Sequence, residues 1–141
     1  MGRLRVIGAL GFLGVWALGQ SAAEMGSRVL DLGHPSLSQR IDNNDFATFE
    51  FVRLTVTQVN NPKRVGLILG VAFEPDGGAR AQLGGFSLYP PDKPGTFIVS
   101  TRHQVNSAGI VIVSLHTAAE VDPKTPLSVT MGAIELAHGR D

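Results

Sequence analysis

The chain contains no cysteine, and its charges balance: twelve Lys and Arg stand against twelve Asp and Glu in 141 residues. The lack of cysteine excludes disulfides, thiolate metal ligands and thiol nucleophiles. Because there is no basic excess to neutralise phosphates, we expect no nucleic-acid partner. No run of like charges points to an anionic membrane surface. No Asn-x-Ser/Thr sequon is present either, so nothing indicates a glycosylated secretory product.

The first 23 residues are typical of a signal peptide. Arg3 and Arg5 form a basic start, and an uncharged apolar stretch follows. Ser21 and Ala23 place small residues at the positions that a signal peptidase recognises. The apolar stretch has about 14 residues, whereas a membrane-spanning helix needs roughly 20. The pattern therefore predicts that residues 1–23 are a cleaved signal, that the protein is periplasmic or secreted from a bacterium, and that it has no stable membrane insertion after cleavage.

The rest of the chain has the length of one domain with one core. Residues 24–45 are polar and irregular, which predicts an N-terminal arm with one short strand near Arg28 to Leu32. From residue 46 to residue 141 the pattern changes, because short β-rich segments recur with turn signals between them. This spacing predicts an all-β fold. We expect an antiparallel β-sandwich, jelly-roll or Greek-key-like, of about 7–8 strands.

Period-two alternation identifies the most regular strands and their buried faces. Residues 52–56 place apolar side chains on one face and Arg or Thr on the other. In "VGLILGVAFE" (65–74) the odd positions are large and apolar, which predicts one buried face. "IVIVSLH" (110–116) is apolar on both faces over most of its length, so it should be a central strand. "LSVTMGAIEL" (127–136) predicts one continuous closing strand whose apolar face carries Leu127, Val129, Met131 and Ala133.

Two histidines are the candidate metal ligands. His103 and His116 flank one predicted hairpin and could meet across it to hold copper or zinc together with an acidic residue. No histidine pairs with another at the local spacing of a metal motif, and a third ligand is not evident. The more economical interpretation is that both are solvent-facing strand ends, so the sequence predicts neither a metal nor another cofactor.

Catalytic groups are equally sparse. Glu50, Glu74 and Asp76 lie near predicted strand ends, and paired carboxylates of this kind can hydrolyse glycosidic bonds. Acidic residues scattered over a neutral domain are more often solvated surface. No nucleophile turn of the Gly-x-Ser-x-Gly type and no phosphate-binding loop is present. We therefore expect no catalytic residues, with a small carboxylate-dependent hydrolase as one alternative.

A proline-rich loop is the most distinctive segment of the chain. It interrupts "GGFSLYPPDKPGTFIVS" between two apolar segments. Prolines fix φ and reduce the entropy lost when a loop orders, and an aromatic side chain on such a loop is a suitable binding anchor. The alternative is a stiff connection between two sheets. The candidate partner-binding residues are Tyr89, Pro90, Pro91, Asp92, Lys93 and Pro94.

The same region carries a family resemblance. "ARAQLGGFSLYPPDKPGTFIVS" followed by "PLSVTMGAIEL" resembles the C-terminal β-sandwich that is attached to tyrosinases and plant polyphenol oxidases. The likeness extends from about Phe51 to Leu136. In that family the sandwich caps a dicopper catalytic domain and shields its active site. The helical copper-binding domain with its histidine triads is missing here, so the resemblance implies no enzyme activity and at most a free-standing capping or maturation domain.

The sequence thus favours an exported, non-catalytic binding or interaction module whose partner is another exported protein. The second hypothesis, which comes from the resemblance, is a capping or maturation partner of an exported copper oxidase, and only there would copper be involved. The third hypothesis is the hydrolase.

Overall fold

The computed structural model describes residues 28–42 and 49–138, and the predicted signal lies outside them. These residues form nine strands and no helix, so none of them belongs to a helix long and apolar enough to cross a membrane. The strands are β1 (Val29–Asp31), β2 (Ser36–Ile41), β3 (Phe51–Asn60), β4 (Leu67–Pro75), β5 (Ala81–Ser87), β6 (Gly95–Ser100), β7 (Gly109–Thr117), β8 (Ser128–Met131) and β9 (Glu135–Ala137).

The strands form two antiparallel sheets, as predicted. Sheet I has the order β1-β8-β3-β6, with β9 beside the first half of β3, and sheet II has the order β2-β7-β4-β5. Strand β1 pairs with β8, β2 with β7, β3 with β6 and β4 with β5, so the chain is one long hairpin folded over into two layers. This is the strand order of a jelly roll, with β9 as an addition. β7 lies between β2 and β4, which confirms its predicted central position.

The core lies between the two sheets and follows the predicted alternation. Val52, Leu54 and Val56 of β3 are buried, and so are the odd positions 67–73 of β4. β7 contributes alternate residues from Val111 to Leu115, and Phe73 is the largest fully buried side chain. Burial of these apolar side chains is the main stabilising term, and the chain has no cysteine to add a disulfide.

The described part of the predicted N-terminal arm is more regular than expected. Residues 28–42 contain β1, at the position of the predicted short strand, and also β2, and both are edge strands of the two sheets. Gln39 of β2 points inward. Its Nε2 donates to the Ile134 carbonyl at 2.8 Å and its Oε1 accepts from the Ile134 N–H at 3.1 Å. Arg28 donates to the Gly132 carbonyl and to Gln39 Oε1. These contacts join the two sheets along the β1/β2 side, so the segment is part of the sandwich.

The closing segment also differs from the prediction. It forms two strands, β8 and β9, with a break at residues 132–134. Ala133, expected on the buried face, is exposed, while Ile134 is buried at 4% exposure. The break moves β9 beside the beginning of β3, whereas β8 pairs with the end of the same strand. Period-two alternation does not detect such a break because Gly132 and Ala133, the small residues in it, do not interrupt the pattern.

The connecting loops gather at the two ends of the sandwich. The proline end contains the proline loop, from Leu88 to Pro94, between β5 and β6. The far end contains the loop between β6 and β7 and the β4–β5 turn. That turn has its predicted chemistry: Gly77 has φ +72°, and the Gly78 N–H donates to the Pro75 carbonyl at 3.0 Å.

Candidate functional site

The proline loop is tied to sheet II where it begins. The Leu88 N–H donates to the Leu67 carbonyl at 3.1 Å, and the Leu88 side chain is buried in the core. The Lys93 N–H then donates to the Pro90 carbonyl at 3.3 Å, which closes a turn inside the loop. The Tyr89–Pro90 peptide bond is cis. The hydrogen bond and the buried side chain of Leu88 thus fix the backbone one residue before the exposed part of the loop.

A buried asparagine fixes the middle of the loop. Asn61 comes directly after β3 and is 3% exposed. Its Nδ2 donates to the Pro91 carbonyl at 3.0 Å and to the Val65 carbonyl at 2.9 Å. Its Oδ1 accepts from the Val65 N–H at 3.0 Å. One side-chain amide thus holds the β3–β4 connection and the proline loop together, and its polar atoms have partners as a buried amide requires.

Tyr89 points away from this anchored framework. It is 90% exposed, the highest value among the large hydrophobic side chains that the structure describes. It makes no hydrogen bond or ring contact with any described residue. Pro90, Lys93 and Pro94 are also exposed. The structure thus places four of the six predicted partner-binding residues on an open surface.

The other two predicted residues face the protein. Pro91 and Asp92 are half-buried. Asp92 Oδ2 lies 3.7 Å from Arg64 Nε, while its Oδ1 is buried without a hydrogen-bond partner among the described residues. Arg64 adopts φ +52°, a left-handed conformation, in the connection that Asn61 also holds. Pro91 and Asp92 therefore shape the loop and do not belong to its outer surface.

One apolar neighbour of the loop was not predicted as part of a site. Ile68 lies on the outer face of sheet II and is 38% exposed. In the register of the sheet it stands between Ser87 of β5, two residues before Tyr89, and His116 of β7. The alternation predicted for β4 indicates that the Ile68 side chain points to the outer face. That Ile68 lies near the proline loop follows only from the pairing of β4 with β5, which alternation within one strand does not predict.

The structure does not bring the two candidate metal ligands together. His116 lies near the end of β7, at the proline end, while His103 lies in the loop that leads into β7 from the far end. At about 3.3 Å per residue, the part of β7 that separates them spans more than 20 Å. Across the described residues, no group of three or more His, Cys, Asp or Glu is arranged to hold a metal ion.

The three candidate carboxylates also lack a catalytic arrangement. Asp76 accepts two hydrogen bonds from Arg40, both 2.6 Å long, and these hold the pKa of Asp76 below its usual value. Glu74 lies 3.2 Å from Arg80, and Glu50 is exposed at the start of β3. A general acid for glycoside hydrolysis needs a raised pKa, which is the opposite of the shift at Asp76.

Two surface depressions do not alter this assignment of roles. A groove of about 320 Å³ crosses the outer face of sheet II and contains one of these carboxylates, Glu74, together with its partner Arg80. A second depression of about 350 Å³ lies beside the β1–β2 turn, where His34 Nδ1 is 3.4 Å from Asp31 Oδ1. Neither pairs two carboxylates across a cavity, which the hydrolase hypothesis requires.

Comparisons with known proteins add no relative. A scan against models of protein families finds no match, and searches of curated proteins and of solved structures find none either.

Proposed function

We propose that the chain is an exported, non-catalytic β-sandwich that binds another exported protein through the proline loop, with Tyr89 as the central contact. The observation that carries the proposal is the exposed ring of Tyr89 on a loop whose backbone is anchored on both sides by Leu88 and Asn61. An isolated surface aromatic on an unanchored loop would not support it equally well.

Covering the proline loop with a partner should cost little conformational entropy. A loop that is already held by a core side chain and a buried amide loses little conformational freedom when a partner covers it. Tyrosine supplies a large contact area with few rotatable bonds, and aromatic anchors of this kind dominate the energetics of many interfaces. Lys93 and the prolines around the ring would form the rim, and Ile68 on the adjoining sheet face is a second apolar contact.

Export is part of the proposal and has its own test. Residues 1–23 have the charge, apolar length and small residues of a cleaved signal, and they lie outside the described residues. We expect cleavage between Ala23 and Glu24. The intact mass of the protein recovered from the periplasm or medium should correspond to a chain that begins at Glu24. A mass that still includes Trp16 would contradict cleavage.

Partner binding can be tested at the ring itself. We expect a photo-crosslinking amino acid at position 89, introduced in the exporting cell, to give one discrete adduct. The same group at Lys124, an exposed loop position, should not give that adduct. With the purified adduct protein as the probe, Tyr89→Ala should weaken binding by about thirtyfold, because truncating an anchor typically costs about 2 kcal/mol or more. Tyr89→Phe keeps the ring and should lose much less.

The stability of the Tyr89→Ala variant distinguishes a binding site from a stiff connection between the two sheets. Because the side chain is 90% exposed and makes no hydrogen bond or ring contact with a described residue, Tyr89→Ala should change the free energy of unfolding by less than about 0.5 kcal/mol. Unchanged affinity in the Tyr89→Ala variant would contradict the proposed site. A large loss of stability would show that the ring serves the architecture of the loop.

A second candidate function rests on the same exposed ring. A capping or maturation partner of an exported copper oxidase, which the sequence resemblance implies, would need a side chain that projects into the mouth of the copper site. The exposed ring of Tyr89 is the candidate for this side chain. The probe is a purified tyrosinase. Inhibition by this protein that is lost in Tyr89→Ala would favour the candidate, and equal activity with and without the protein would contradict it.

A further inference from the structure

The edges of the two sheets are not protected equally. Exposed edge backbone is a template for pairing with another chain, and proteins usually blunt it with charge, proline, bulges or short length. In sheet I, edge strand β1 has only three residues. In sheet II, edge strand β2 contains the ion-paired Arg40. The other edge strand, β5, has a register shift, and its Leu83 carbonyl accepts a hydrogen bond from Arg102 Nε at 3.0 Å. Three of the four edges thus have a protective feature.

The fourth edge, β6, has none of these features. Its six residues from Gly95 to Ser100 include no charge and no proline, and its pairing with β3 contains no register shift. Ile98 stands at the middle of its outer face and is 60% exposed, more than any other large aliphatic side chain that the structure describes. Such a strand is an unusually open template for further pairing.

The hydrogen-bond pattern shows which backbone groups of β6 are available. On one side of β3, the Thr55 carbonyl accepts from the Gly132 N–H at 2.8 Å. Because successive residues of a strand point their backbone groups to opposite sides, Val52, Leu54 and Val56 face β6 and bond Val99, Phe97 and Gly95.

The alternate residues of β6 are therefore Thr96, Ile98 and Ser100, whose N–H and C=O groups point away from β3. No backbone hydrogen bond to another described residue satisfies them. They form three evenly spaced docking positions, symmetric about Ile98.

We propose that β6 pairs with β6 of a second copy of this chain, antiparallel and about a two-fold axis at Ile98, so that the two sheets I become one continuous sheet. In this register Ile98 lies opposite Ile98 of the second copy, and Thr96 lies opposite its Ser100. The three free backbone positions of each copy are satisfied by the other. The exposed isoleucine is covered on the outer face, and the two hydroxyl residues meet on either side of it.

Self-pairing suits this strand better than capture of an arbitrary segment. The outward-facing positions are Thr96, Ile98 and Ser100. A two-fold axis at Ile98 therefore places an apolar residue opposite an apolar residue and a hydroxyl residue opposite a hydroxyl residue. No charge within the strand opposes its own copy. Along the chain, the nearest charged side chains, Lys93 and Arg102, lie beyond its two ends, and Arg102 is turned back to the Leu83 carbonyl of its own copy. Across the sheet, Arg53 of β3 stands beside Ile98 and is ion-paired with Glu135 of its own copy at 3.2 Å. The contact is one short strand pair, so a weak, concentration-dependent dimer is expected.

Sedimentation of the purified protein over a roughly hundredfold range of concentration tests the dimer. We expect a monomer–dimer equilibrium. Ile98→Lys places two ammonium groups opposite one another at the axis and should raise the dimer dissociation constant at least about tenfold. Thr96→Pro removes one edge N–H without adding charge, and because that N–H does not bond β3 the fold should tolerate it; it should weaken the dimer as well. Thermal melts of both variants check that they fold.

Ile68→Lys is the matched control. Ile68 is also an exposed isoleucine, but it lies on the interior strand β4 of the other sheet, and its substitution should leave the dimer intact. Tyr89→Ala should leave it intact as well, which separates this proposal from the proposed partner site.

Amide hydrogen exchange locates the interface. The N–H groups of Thr96, Ile98 and Ser100 should become protected only as concentration rises. Those of Phe97 and Val99, which bond β3, should be protected throughout. A monomer at every concentration, growth beyond a dimer, equal effects of Ile98→Lys and Ile68→Lys, or concentration-independent exchange at Ile98 would each overturn the proposal.

Discussion

The loops at the two ends of the sandwich are anchored in the same way but present different surfaces. Asn61 and Thr101 are the two buried polar side chains of the described residues, and each holds one loop. At the far end, Thr101 Oγ1 donates to the Phe49 carbonyl and accepts from the His103 N–H at 3.3 Å, and the apolar residue of that loop, Val105, is fully buried. At the proline end the loop is held equally firmly, yet its ring stays outside.

The difference shows that the exposure of Tyr89 does not result from a loose loop. At the far end, a loop held by one buried hydroxyl places its apolar residue, Val105, in the core. The proline loop is held in a comparable way, and yet its aromatic residue stays exposed. At the proline end the core position is already taken by Leu88, which is 3% exposed, so the next residue must point outward. The outward direction of the ring is therefore built into the β5–loop junction.

The largest expected loss of stability comes from removing core packing, and the losses expected at the two loops can be compared with it. Leu69 is fully buried in the middle of β4, so Leu69→Ala should lower the free energy of unfolding by about 2–5 kcal/mol. Urea unfolding of the two proteins measures this. Ile68→Ala is the control from the same strand: this side chain points to the outer face, and its loss should cost clearly less. A loss under about 0.5 kcal/mol for Leu69→Ala would mean that the inward face of β4 is assigned wrongly.

The next effect tests the comparison of the two anchors directly. Asn61→Ala removes three hydrogen bonds at a buried site and should cost about 2 kcal/mol, since the groups left behind include a carbonyl of the proline loop. Amide exchange at Lys93, whose N–H bonds the Pro90 carbonyl, should become faster because the loop is released.

Thr101→Val is the counterpart at the far end. It keeps the shape of the side chain and removes the hydroxyl bonds to the Phe49 carbonyl and the His103 N–H. It should lower stability by about 1–2 kcal/mol without changing exchange at Lys93. Equal acceleration at Lys93 in both variants would show that the two loops are not anchored separately.

The features that the sequence predicts arise from local patterns, and those that it does not predict depend on contacts with residues far away in the chain. The buried faces of β3 and β4 come from alternation within a few residues, and the central position of β7 comes from its apolar character on both faces. Strand β2 is not predictable in this way, because it alternates only weakly and its contacts come from the other end of the chain: Gln39 bonds Ile134, 95 residues away. The direction of Tyr89 depends on the burial of Leu88, and the role of Asn61 depends on a carbonyl 30 residues later lying within its reach.

The smallest expected effect concerns the ion pair that joins β2 to the β4–β5 turn at the far end. The two hydrogen bonds from Arg40 hold the pKa of Asp76 below its usual value of about 3.9. A carboxylate with a lowered pKa in the folded state contributes stability above its unfolded pKa and loses it as pH falls through the folded pKa.

We therefore expect Asp76→Asn to lower the melting temperature slightly at pH 7 and to have progressively less effect as the pH falls through the lowered pKa of Asp76 in the folded state. The effect should be small because both side chains are solvent-accessible, and salt should reduce it further. Glu120→Gln is the control, since Glu120 is exposed and makes no ion pair with a described residue. If Asp76→Asn were as destabilising in strong acid as at about pH 7, the loss would come from the uncharged geometry of the turn, and the far end would be held by Thr101 and the core alone.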